Sequence, residues 1–322
     1  GIHIQSLASD PSNLGAGQVW YNTTSNQLKI TSNKTTGTWA TGDTMGQTRY
    51  DAVGAGIQTD AIGYGSYYSA TEHYDGSAWT AGGTRLENVS YSSGCGATST
   101  TAINFGGGTP SNRFSTNTYH YDGSNWTTGG NMGTGRASIA GAGTDTAGLA
   151  FGGSSNPPLT IYNATEHYDG SAWTAGGNMG TARQQQGGVG TQTAGLGFGG
   201  APTVNASTTN ATEEYDGSAW TAGGNLGSAR QNMGSAGTQT AGLTFGGDGI
   251  PGSPGFSNVT EHYDGSAWTA GGNTNVGGIQ AGAAGTQSAG LKLAGWDNYG
   301  RDSDNTEEYD GPGITTQICS SS

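Results

Sequence analysis

Positive charge is scarce in this chain: ten Lys and Arg stand against 23 Asp and Glu among 322 residues, a formal net charge of −13. Nucleic-acid binding depends on clustered cations that neutralise phosphates, so no nucleic-acid partner is expected. Cysteine is nearly missing too. Cys95 and Cys319 fall at non-equivalent places, and two such residues make neither a disulfide framework nor a zinc site. No apolar run approaches the roughly 20 residues of a membrane-spanning helix, so membrane insertion is not expected. Helical periodicity is absent throughout. Apolar residues amount to only 31%, and the shortfall is filled largely by 63 glycines. Such a composition by itself accompanies disorder. Here, however, the aromatic residues recur in register, which argues for an ordered array.

The string Tyr-Asp-Gly occurs six times, beginning at Tyr74, Tyr121, Tyr168, Tyr215, Tyr263 and Tyr309. Five of these continue to a tryptophan five residues beyond the tyrosine: Trp79, Trp126, Trp173, Trp220 and Trp268, spaced 47, 47, 47 and 48 residues apart. Within one unit, four strand-sized pieces are legible at 185–191, 194–200, 211–215 and 218–223. Asp216-Gly217 between the last two is a hairpin signal, because a tight turn needs positive φ. Four antiparallel strands, repeated, are the pattern of propeller blades. The recurring tryptophans, with Trp39, are the expected structural wedges between blades.

The repeat resembles the kelch motif, in which an apolar stretch ends in Gly-Gly and is followed by a Tyr and then a Trp. Those elements stand here as Phe151-Gly152-Gly153 with Tyr168 and Trp173, Phe198-Gly199-Gly200 with Tyr215 and Trp220, and Phe245-Gly246-Gly247 with Tyr263 and Trp268. The resemblance covers about residues 39–314 and implies an all-β, six-bladed kelch-like β-propeller of four-stranded antiparallel blades. Two units depart from it, with Gly63-Tyr64-Gly65 in the first and Leu293-Ala294-Gly295 in the last, and these are expected to pack less regularly. The domain plan is therefore an N-terminal hairpin segment (1–35), the propeller (36–314) and a C-terminal tail (315–322). The last repeat has Ile314 where tryptophan belongs, and Pro312 where a strand would begin. Trp39 lies 25 residues before Tyr64, the same offset as Trp173 to Phe198. Its segment should supply the outer strand of the last blade and close the ring by strand exchange; an independent seventh blade is the alternative. The leading segment, LASDPSN followed by GQVWYNTTSNQLK, is similar to the leading segments of phage fibre and other virion structural proteins. That similarity implies a virion or extracellular location, with other virion or fibre subunits as partners.

Strands alternate direction within a blade, so the second-to-third loops and the crossovers share one face. These loops differ in every repeat, and they carry Arg113, Phe114, Tyr162, Ile250, Phe256, Trp296, Tyr299 and Arg301. Aromatic and Arg side chains are the usual interface anchors, which makes this face the candidate ligand surface. Arg49, Arg136, Arg183 and Arg230 each follow a tryptophan by ten residues. They are read either as a ring of cations facing a ligand or as partners of Glu166, Glu213 and Glu261 between blades. His73, His120, His167 and His262 occupy one third-strand position in different blades; symmetry keeps them apart, so they are structural rather than metal-binding. Asp297, Asp302 and Asp304 lack the spacing of a calcium loop. No catalytic residue, metal or cofactor is expected. The expectation is a non-enzymatic virion structural or fibre protein whose propeller presents variable loops to a host-surface glycan or protein. A subunit of a cellular extracellular fibre or adhesin is the alternative, and a glycan-processing enzyme a more distant one.

Overall fold

A computed structural model describes residues 4–34, 36–109, 111–203, 208–249 and 255–319. The chain forms two compact units, one of residues 38–310 and one of 1–37 with 311–322. Ile250 lies outside the described residues.

The larger unit is built from one repeated sheet. Gly187–Thr191, Ala194–Phe198, Thr212–Tyr215 and Trp220–Ala222 pair antiparallel in chain order. The Asp-Gly turns close the outer hairpins as the sequence dictates. Asp169 Oδ1 accepts from the Ser171 and Ala172 amides at 2.8 Å, and Gly170 adopts φ +94°, a left-handed conformation that glycine reaches without steric cost. Among the described residues, six sheets of four or more strands occur in this unit. Their innermost strands touch in succession: Ala52–Ile57, Ser93–Thr98, Ala140–Gly143, Gly187–Thr191, Gly234–Thr238, Gly282–Gly285, and then Ala52–Ile57 again. Small residues permit this convergence. A Cβ on Gly54 would stand 2.5 Å from the Ala283 carbonyl oxygen.

The sheet that closes the circle takes its strands from both ends of the unit. Thr38–Thr41 pairs antiparallel with Asp302–Asp310, placing Trp39 opposite Tyr309. The repeat offset thus locates Trp39 correctly. Of the two irregular units, the first is regular in packing: Tyr64 is fully buried and its ring meets Trp126 at 4.9 Å. The last is not. Its second and third strands extend as a long hairpin over Ala289–Asp297 and Asp302–Asp310, with a register shift after Leu293 and Ala294 at φ +54°.

Neighbouring sheets are joined by the same contacts at each step. The ring of each outer-strand tryptophan packs on the second strand of the preceding sheet, as Trp220 does on Phe151 at 4.8 Å and Trp268 on Phe198 at 4.7 Å. Its indole N–H donates to a threonine on the third strand of that sheet: Trp220 to Thr165 at 2.9 Å, Trp268 to Thr212 at 3.0 Å, Trp39 to Thr260 at 3.0 Å and Trp79 to Thr306 at 2.8 Å. The apolar clusters accordingly mix residues of adjacent sheets, for example Leu149 and Phe151 with Met179 and Tyr215. No helix among the described residues is long and apolar enough to cross a membrane.

In the smaller unit, the strands run Gln5–Leu7, Val19–Asn22, Gln27–Lys34 and Gly313–Ile318 across one sheet. Val19–Asn22 and Gln27–Lys34 pair antiparallel about a short turn. Residues 313–318, divided in the sequence reading between the last repeat and a tail, instead pair with Gln27–Lys34. Asp10 organises this unit's polar contacts, accepting from Trp20 at 3.1 Å and Asn22 at 2.6 Å and pairing with Lys29 at 2.7 Å.

Candidate functional site

The crossover arginines are not ligand-facing. Arg49, Arg136, Arg183 and Arg230 are each 0% exposed, and their Nη2 atoms bond Glu72, Glu166, Glu213 and Glu261 at 2.5–2.8 Å. Arg136, Arg183 and Arg230 therefore drop out of the candidate ligand set. Nor do these pairs bridge blades. Each arginine sits in the crossover entering a sheet and reaches the third strand of that same sheet, also donating to carbonyls such as Gly152 and Ala164 from Arg136. The other carboxylate oxygen caps the crossover, as Glu213 Oε2 accepts from the Gly180 amide at 2.6 Å. A guanidinium with this many fixed partners is spent on loop geometry.

The histidines form a second interior circuit. His73, His120, His167 and His262 bond the hydroxyls of Tyr121, Tyr168, Tyr215 and Tyr309 in the next sheet at 2.5–2.7 Å. Glu214 and Glu308 replace them in the two remaining sheets, accepting from Tyr263 and Tyr74 at 2.5 Å. Burial holds all four histidines below the usual imidazole pKa. Among the described residues, no group of three or more His, Cys, Asp or Glu is placed to hold a metal. Both cysteines are unpaired with each other, Cys95 buried and Cys319 exposed.

On the loop face, the residues singled out from sequence separate into two places. Trp296, Tyr299 and Arg301 lie on the long hairpin of the last sheet. There Asp297 accepts from the Tyr299 and Arg301 amides and pairs with the Arg301 side chain at 3.0 Å, and Arg301 covers the Tyr299 ring at 4.8 Å. That carboxylate is engaged in its own turn. Tyr162 covers buried Arg136 at 5.8 Å and bonds Ser155. Phe256 is half-buried and stands apart from the aromatic groove described next.

Arg113 and Phe114 line a depression of about 420 Å³ together with Tyr67, Tyr91, Ser90, Thr109, Ser138 and Ser154. Its walls come from loops of three consecutive sheets, and each loop is pinned. The Thr109 hydroxyl accepts from the Asn112 amide at 2.9 Å, and the Thr109 amide donates to the Asn112 carbonyl at 2.7 Å. A Cβ on Gly108 would stand 2.7 Å from the Arg113 carbonyl oxygen, so the return of this loop past Gly108 requires glycine there. The Tyr67 loop is held from beneath by buried Arg85, which donates to the carbonyls of Ser66 at 3.0 Å and Tyr68 at 2.7 Å. Burial pushes the Arg85 pKa down to about 10. Tyr67 remains 55% exposed, packed edge-on against Tyr50 at 5.3 Å, and Tyr50 in turn lies 6.2 Å from Trp296.

Tyr91 belongs to another symmetric set. Asp51, Tyr91, Ser138, Gln185, Asn232 and Gln280 all adopt φ between +48° and +57°. They rim the mouth of the central channel, and successive amides bind the carbonyl of the preceding sheet: Ser138 to Tyr91 at 2.8 Å, Gln185 to Ser138, Asn232 to Gln185 and Gln280 to Asn232 at 2.9 Å. Asp51 is the buried member, its carboxyl pushed up to about 7 by desolvation, with one carboxylate oxygen lacking a partner. Sequence reasoning missed Tyr50, Tyr67 and Tyr91. The signal was present: GYGSYY at 63–68 breaks the Phe-Gly-Gly pattern with three tyrosines, and Tyr91 stands where other repeats carry a small or polar residue.

No family model matches this chain, and no curated protein matches it. Solved structures do. YjhT is similar with a TM-score of 0.72 at 12% identity, over 85% of this chain and 99% of that one. At that identity the likeness speaks for the fold alone. With the repeated four-stranded antiparallel sheets, it makes the chain a β-propeller.

Proposed function

We propose that this chain is a non-enzymatic binding module: a six-bladed, kelch-like propeller that presents its loop face for attachment to a host surface, as part of a virion fibre or comparable extracellular fibre. The carrying observation is the division of labour among its functional-looking residues. The charged and titratable side chains repeated in register are consumed by internal pairs, whereas exposed aromatic residues and Arg113 gather on one face from loops without a common sequence. Aromatic and Arg side chains on pinned loops suit recognition, because their contact area is gained with little loss of conformational freedom. The segment before the repeats, with its resemblance to leading segments of virion structural proteins, would join the propeller to its assembly.

The test is adhesion. The labelled chain should bind intact host cells or their isolated envelopes, and antibody against the loop face should block that binding and decorate purified particles. Particles left undecorated by the antibody, together with purified protein that adheres to no surface, would overturn the reading. Turnover of a polysaccharide by the chain would replace it with an enzymatic one.

A further inference from the structure

We infer that the groove between Tyr67, Tyr91 and Phe114 is a carbohydrate site taking a neutral oligosaccharide, with sugar rings stacked on the tyrosines and hydroxyls bonded by Arg113 and Ser138. The inference rests on the attachment reading above and names its ligand class. Three observations carry it, beginning with the aromatic rings. Tyr67 and Tyr91 are 55% and 40% exposed, yet both stand on backbone that is fixed by hydrogen bonds, through Arg85 and Ser138. Rings held open to water on rigid supports are platforms for a ligand whose own faces are flat. A pyranose presents such a face: its axial C–H bonds, slightly positive, meet the negative face of an aromatic ring.

Backbone strain at Tyr91 is the second. A bulky side chain at φ +54° is uncommon, and such conformations persist where the surroundings enforce them, often at functional sites. Its counterparts around the mouth are Asp, Ser, Gln, Asn and Gln, none of which offers a stacking face. The ring fold accepts any of these residues here, so the tyrosine is explained by what it presents and not by what it supports.

Chemistry of the lining is the third. Ser138 is the partly exposed hydroxyl of the lining, and Ser90, Thr109 and Ser154 are buried behind it; a lining of short polar side chains matches a polyol better than an apolar peptide anchor. Arg113 is exposed at the rim and supplies forked donors. The formal charge of −13 opposes a polyanionic sugar, and the groove's lining carries a single cation, Arg113, which is why the ligand is neutral. The groove's volume lies within the range of small-ligand sites.

The experiment is a glycan array probed with the full chain, followed by calorimetry with the neutral oligosaccharides that bind. Tyr67→Ala and Tyr91→Ser should each weaken binding by about tenfold or more, and Arg113→Ala by less. Tyr91→Ser copies Ser138 and relieves strain, so its melting temperature should hold or rise, which separates lost binding from lost folding. Neutral glycan binding unchanged in both tyrosine variants would place the sugar site elsewhere; the groove assignment falls and the attachment function stands. Adhesion to cells that survives deglycosylation but not protease treatment would identify a protein receptor, with the same consequence. A chain that binds no glycan at millimolar concentration and adheres to no cell defeats both.

Discussion

At the scale of single residues, the repeats conduct their own substitution experiments. Where four sheets have a buried Arg–Glu pair, the second sheet has Val89 and Tyr119, both buried. In the last sheet Gly278 replaces the arginine, and Lys292 reaches Glu307 at 2.6 Å instead. A buried pair is strongly destabilising when broken on one side and close to neutral when both members are exchanged for apolar residues. Arg183→Leu, which strands Glu213, should therefore cost about 3–5 kcal/mol. The double change Arg183→Val with Glu213→Tyr, copying the second sheet, should cost less than the single, read from urea midpoints. Equal losses would show that the guanidinium matters for its carbonyl contacts and not for its charge.

The histidine circuit makes stability depend on pH. Gly83 and Gly177 donate to the hydroxyl oxygens of Tyr121 and Tyr215 at 3.1 and 3.3 Å, and in the Nδ1-protonated tautomer of the neutral imidazole these tyrosines donate to His73 and His167 Nε2. The imidazoles are neutral acceptors, and burial lowers their pKa in the folded state. The unfolded chain then binds protons first, so stability is complete above the unfolded histidine pKa of about 6.5 and declines as pH falls below it. Asp51 works oppositely: burial raises its pKa to about 7, so the folded state takes up a proton before the unfolded one and folding is favoured as pH falls from about 7 toward the ordinary carboxylate range. Replacing His73, His120, His167 and His262 by Gln, which still offers an acceptor, should flatten the loss of stability between neutral and mildly acidic pH while leaving the Asp51 contribution in place. Denaturant midpoints across that range decide it, and an unaltered slope would remove the histidines from the account.

Among elements, the strand Thr38–Thr41 carries the greatest consequence for its length. Four residues complete a sheet whose other strands come some 240 residues later, and Trp39 meets Phe245 and Tyr309 at 4.8 Å each. Trp39→Ala should cost about 3–5 kcal/mol by the ordinary arithmetic of emptied aromatic sites. Trp79 has no phenylalanine beneath it and packs against the cluster holding Leu293, so Trp79→Ala should cost less. A matching loss at both sites would mean that the closing strand is no more critical than any other. This element was legible because the offset of Trp39 repeats that of Trp173. The extended hairpin of the last sheet was not, since Leu293-Ala294-Gly295 announces a departure from the motif without saying which way the chain turns.

For the whole propeller, cooperativity follows from where the core lies. Each apolar cluster spans two sheets, as Val53, Ile62 and Tyr64 pack with Tyr121 and Trp126. Among the described residues no sheet possesses a core of its own, and the innermost strands touch in an unbroken circle. Unfolding of residues 38–310 should thus be a single transition despite the repeats, with tryptophan fluorescence and far-ultraviolet dichroism giving the same midpoint. Separate midpoints would indicate sheets that melt independently, as in an open solenoid.

What the sequence determined by itself was everything that repeats: the strand pieces, the Asp-Gly turns, the aromatic wedges and the strand that closes the ring. Periodicity is a local and cumulative signal, and six copies reinforce one another. Only the tertiary structure decided what the polar residues do. Arg136, Arg183 and Arg230 read equally well as a cationic ring or as internal pairs, because spacing fixes a residue's height in the sheet but not whether a glutamate covers it. The groove was hidden for the complementary reason. Tyr67 belongs to the first repeat and Tyr91 and Phe114 to the second, all at different positions within them, so no comparison of equivalent residues joins them. They meet because the ring brings the loops of successive sheets to one face.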